Sequence, residues 1–111
     1  MGFPDFNYSC YGVEGNVELK AGPDLEVLAS QVLWMKGRTA AGGWPLFLIQ
    51  WGDVYMVVPG VWAVDIRRNP SEENTMRLAT TMWHGKIPPG ELLKVLRNPK
   101  NEYTKSARNI K

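Results

Sequence analysis

Apolar residues concentrate in the middle of the chain, where Trp44 to Arg67 reads WPLFLIQWGDVYMVVPGVWAVDIR. Alternation through this stretch predicts three adjacent β-strands, with turns at Gly52-Asp53 and Pro59-Gly60. Gly at the first position of a two-residue loop reaches positive φ without steric cost, which pairs Trp51 with Val54. That register sets Phe47, Ile49 and Trp51 beside Val54, Met56 and Val58 on one face. Leu46, Leu48 and Gln50 then share the other face with Tyr55 and Val57. Trp62, Val64 and Ile66 alternate with Ala63, Asp65 and Arg67 in the third strand. Little polar alternation occurs before Asp65, so both faces need cover. Helices, the N-terminal segment or a second copy of the chain (a homodimer) are the candidates for that cover.

The flanks supply further elements. Tyr8–Val13 and Val17–Lys20 predict a hairpin turning through Glu14-Gly15-Asn16. Gly22-Pro23-Asp24 opens a helix that runs to about Lys36, with Gly37 as its stop. Leu25, Leu28, Ala29, Val32 and Met35 form one face of it, while Val27 and Trp34 point to nearly the opposite side. A second helix is predicted from Pro70 to His84, capped by Asn69 and stopped by Gly85, with Glu73 and Arg77 as a favourable pair. A third runs from about Gly90 to Asn98, turning Lys94 and Arg97 outwards, and Pro99 ends it. The predicted fold class is therefore α+β: a central antiparallel sheet of three to five strands, packed with three helices. The globular domain covers residues 1–99, and residues 100–111 form a basic, mobile tail with little periodicity.

Composition places the chain among globular proteins, with 111 residues, 44% hydrophobic and 22% charged, enough for one domain. No apolar run is long enough for a transmembrane helix, and no basic start followed by an apolar run marks a signal peptide. Cys10 is the only cysteine, which excludes an internal disulfide and points to a reducing compartment such as the cytoplasm. With His84 as the only histidine, a structural zinc site built from these ligand types within one chain is excluded. No cofactor is implied. Net charge is only +2 but uneven. Residues 1–35 hold five acidic side chains and one basic, whereas residues 86–111 hold seven basic and two acidic.

Three classes of function compete. Catalysis would need groups in mutual reach, and Cys10 with His84 is a nucleophile–base pair only by default. Nucleic-acid binding has more support. The predicted order of helix, three strands and helix across residues 24–84 resembles the double-stranded-RNA-binding topology in element order. That family carries a lysine cluster where this chain reads NPSEEN, whose acids would repel phosphate. A helix-turn-helix would have to span GKIPPG, longer than its usual turn. Phosphate contacts without base readout could come from Arg67 and Arg68, and from Lys94, Arg97, Lys100, Lys105 and Arg108. Protein binding is the remaining class. Five tryptophans are hard to bury wholly in so small a domain, and Trp anchors interfaces. Val27 and Trp34 are the interface candidates. The sequence thus predicts a non-enzymatic macromolecular binder, a protein-interaction module first and a nucleic-acid binder as the alternative.

Overall fold

The computed structural model describes residues 6–10 and 13–109, with side chains from 15 to 107. The fold is α+β. Five strands lie in the order β1 (Phe6–Cys10), β2 (Val13–Ala21), β3 (Leu46–Trp51), β4 (Val54–Pro59) and β5 (Thr81–His84). The sheet is mixed and not purely antiparallel, because β2 and β3 run parallel, Val17 opposite Leu46 and Ala21 opposite Gln50. Parallel neighbours need a crossover, and α1 (Ala29–Ala40) supplies it. The β3–β4 hairpin has the expected register, Trp51 opposite Val54, around Gly52 at φ +62°. The N-terminal hairpin pairs Cys10 with Val13, so Glu14-Gly15-Asn16 lies inside β2 and is not its turn.

Helix α1 begins five residues later than the apolar spacing suggests. Leu25 and Val27 are buried with exposed Glu26 between them, the period of an extended segment. Gln31 then fixes the start. Its side-chain oxygen accepts the Leu28 amide at 2.9 Å and the Lys20 ammonium at 2.9 Å, while its amide donates to buried Glu18 at 3.1 Å. Gly37 does not stop the helix. The end comes at Gly42, φ +91°, whose N–H bonds the Thr39 carbonyl while the Gly43 N–H bonds the Arg38 carbonyl. This is a Schellman cap, and it accounts for the glycine pair.

Two predicted elements change identity. Residues 60–68 form a 3-10 turn (Gly60–Trp62) and helix α2 (Ala63–Arg68), not a third strand of the meander. Ala63 and Ile66, three apart, are the buried pair, so helical spacing was hidden inside the alternation. Gly60 lies where a side chain would collide with the Met35 sulfur and the Pro45 carbonyl, and its N–H bonds that carbonyl at 2.9 Å. The predicted helix 70–84 is instead α3 (Glu72–Leu78) followed by β5. Ser71, not Asn69, caps α3, its hydroxyl accepting the Asn74 amide at 3.1 Å. Met76 is exposed, and Asn74, Thr75 and Leu78 face inwards. Thr81 and Trp83 are strand formers, and the free side of β4 offers residues 81–84 a ladder that outweighs helical continuation.

Helices cover both faces, so the apolar sheet is a central layer. Phe47, Ile49, Met56 and Val58 pack with Met35, Ala63, Ile66 and Leu78 from α1–α3. On the other face Leu46, Val57 and Trp83 pack with Val95 of α4 (Glu91–Arg97) and Tyr103 of α5 (Pro99–Asn109). The expected mobile tail is thus a helix. Pro99 opens α5 as well as ending α4, since proline suits a first helical position. Helix α5 buries Glu102 and Ser106, which answers the absence of apolar periodicity: it docks through polar contacts. The chain thus holds five α-helices among the described residues, not three.

The Tyr103 hydroxyl donates to the Pro45 carbonyl at 2.5 Å, and its ring meets Trp44 edge-on at 5.1 Å. Burial pushes the phenol up to about 12, outweighing hydrogen bonds with Thr39 and the Gly60–Val61 backbone that pull it down. A phenol whose folded pKa exceeds its unfolded value of about 10 binds its proton more tightly in the folded state. Its contribution is complete below pH 10 and is lost as pH rises towards 12, on the order of 2 kcal/mol. Tyr103→Phe is therefore expected to flatten the decline in urea midpoint between pH 9 and pH 12 relative to the parent chain.

Candidate functional site

A groove of about 670 Å³ opens between the segment before α1, the outer side of α1, and α2. Its floor is Leu25, Val27 and Val32, all buried. One wall carries Ala29 and Leu33, one helical turn apart, and Leu33 is 70% exposed. The opposite wall is α2, with Val64 one turn before Arg67 and Arg68. The Arg67 guanidinium donates to the Val27 carbonyl at 2.7 Å, which ties the segment to α2 and fixes this cation at the rim. That bond uses one of five guanidinium donors. Among the described residues no ion pair engages Arg67 or Arg68. Among the described residues Glu26 is the only acid lining the groove. The floor is thus apolar, and the net charge of the lining is positive at the end where α2 finishes.

Of the two interface candidates, Val27 belongs to this groove and Trp34 does not. They form no shared stripe, because Val27 precedes α1. Val27 is 1% exposed, a floor residue and not a projecting anchor. Trp34 is half-buried against the core on the other flank of α1, with the Arg38 guanidinium 6.0 Å above its ring. Leu33 and Val64 were missed. Leu33 falls outside every buried position of α1, a signal readable once the helix is phased on Val32 and Met35. Val64 falls in the third strand that the alternation predicts, and lies in α2.

The basic C-terminal candidates are spread over α4 and α5, and most have local partners. Lys94 pairs with Glu91 at 3.0 Å, Lys105 with Glu102 at 3.1 Å, and Lys100 lies 5.9 Å over the Trp44 ring. Arg97 is exposed and is also engaged within the fold. The side chain of Arg108 lies outside the described residues. Lys94 and Lys105 do line a polar hollow of about 220 Å³ with Asn98 and Asn101, but Glu91 and Glu102 line it too and balance their charge.

Cys10 and His84 sit on opposite edge strands of the sheet. Four interstrand steps separate them by roughly 19 Å, so they cannot act as a nucleophile and its base. The Cys10 side chain lies outside the described residues. Asp53 is in the β3–β4 turn and Asp65 is in α2, not in a third strand. Arg77 donates to the Asn74 side chain at 2.9 Å and forms no ion pair with Glu73 among the described residues. Within the same limits, no group of three His, Cys, Asp or Glu side chains is placed to hold a metal, and no helix is long and apolar enough to cross a membrane. No protein-family model, no curated protein and no solved structure matches the chain.

Proposed function

We propose that this chain is a non-enzymatic protein-interaction module whose docking surface is the α1–α2 groove. One observation carries the reading. A hollow with a buried aliphatic floor stands open beside Leu33, a leucine 70% exposed on a helix whose other large apolar residues, Val32, Trp34 and Met35, pack on the core. Scattered exposed leucines are ordinary, whereas one on the wall of an apolar hollow extends a surface that a partner side chain can fill. A groove between two helices suits the apolar face of a partner segment, read through side chains one turn apart.

The test is a peptide-display selection on the full chain, using random peptides long enough for three helical turns, about 11 residues. Leu33→Asp serves as the counter-selection target. It is expected to change stability by less than about 0.5 kcal/mol, because the side chain is mostly in water. Selected peptides are expected to lose at least about tenfold in affinity on the variant. Peptides that bind both forms equally would place the docking surface elsewhere.

A further inference from the structure

We infer that the groove's partner is an acidic amphipathic helix, one that presents an aliphatic side chain and a carboxylate a single turn apart. The inference rests on the groove being the docking surface and adds the chemistry of its occupant. The lining is divided along its length. Val32, Leu33 and Val64 make one end aliphatic, and Arg67 and Arg68 close the other. Val64 and Arg68 are four residues apart on α2, as Ala29 and Leu33 are on α1, so the two chemistries lie about 6 Å apart. A partner helix matches that offset with residues at i and i+3 or i+4. An aliphatic residue fills the hollow and a carboxylate at the next turn meets the arginines.

The arginines are suited to this. Arg67 is held in place by the Val27 carbonyl and retains its remaining donors, and planar guanidinium donors match a carboxylate's two oxygens. Arg68 is exposed at the rim, and neither is neutralised by an ion pair among the described residues. Glu26 lies on the same lining and opposes them with a single charge. A basic helix would set its cations against two guanidinium groups, that of Arg67 held in place by the Val27 carbonyl, so the rim also discriminates.

The experiment compares what is selected on the parent chain with what is selected on Arg68→Glu, in each case keeping only peptides that Leu33→Asp fails to bind. The expected result on the parent chain is enrichment of Asp or Glu three or four positions from an aliphatic residue. On Arg68→Glu the enrichment should shift towards neutral or basic residues. A parent-selected peptide with its acids changed to lysine should bind about tenfold more weakly, and that preference should shrink in high salt. Leu33-dependent peptides that are neutral or basic on the parent chain would overturn the acidic partner while leaving the groove in place. A selection that yields no Leu33-dependent peptide would overturn the groove and the inference together. The thermal midpoint of Arg68→Glu should match the parent, since the side chain is exposed.

Discussion

Phe47→Ala is expected to lower the unfolding free energy by about 3–5 kcal/mol, the range for removing a buried aromatic ring. Phe47 has no solvent exposure and lies in the cluster with Met35, Ile49, Met56 and Val58. It stands on β3, which is bonded on both sides and cannot shift to fill the void. Part of the cost is lost burial, and part is the cavity that rigid neighbours leave open. A domain of this size holds about 5–15 kcal/mol in total, so the variant should retain a folded state with a much lower urea midpoint. The slope of the transition should be unchanged, because the folded and unfolded surfaces are nearly the same. A loss below about 1 kcal/mol would mean that this face of the sheet is loosely packed. The groove floor of Leu25, Val27 and Val32 belongs to the same cluster and would then be loosely packed too.

Glu102→Ala should cost about 2–4 kcal/mol, a large value for one polar residue on a helix with no apolar stripe. The Glu102 side chain is 2% exposed and accepts the Thr80 and Thr81 hydroxyls, each at 2.6 Å, and the Lys105 ammonium at 3.1 Å. Removing the carboxylate leaves both hydroxyls without that acceptor at the junction of α3 and β5. Lys105 keeps Thr81 at 2.8 Å and is 38% exposed, so its charge can turn to water, which holds the cost below that of a fully buried pair. Glu102→Gln should recover part of the loss, since its carbonyl oxygen can still accept from one or both threonines. The Glu91–Lys94 pair is more exposed, and breaking it should cost less than about 1 kcal/mol. Equal effects at the two sites in urea titrations would contradict the assignment of Glu102 as the polar anchor of α5.

The features legible in the sequence were those set by local pattern. The β3–β4 register follows from one glycine turn and the alternation around it, and the need to cover two apolar faces follows from the missing polar positions. Helix α4 is bounded by Gly90 and Pro99 as its punctuation requires. What was not legible depends on partners distant in sequence. Thr81–His84 continues a helical pattern on paper and becomes a strand because β4 has a free edge. Residues 100–109 have no apolar period, yet they fold against Thr80, Thr81 and Pro45 through hydrogen bonds. Residues 62–67 alternate in a way that fits strand and helix alike, and crowding of Gly60 against Met35 and Pro45 accompanies the turn out of the sheet. The groove was only half visible for the same reason. Val27 stands out in the sequence, but its position before α1 and its neighbours Leu33, Val64 and Arg67 become visible only when α1 and α2 pack.

The most direct test of the docking surface is amide chemical-shift mapping of the full chain titrated with a selected acidic peptide. The largest changes are expected along Ala29–Leu33 and Val64–Arg68, with little change across α4 and α5. Changes centred on Lys94–Lys105, with the α1–α2 amides unmoved, would contradict the account and move the binding surface to the basic end of the chain.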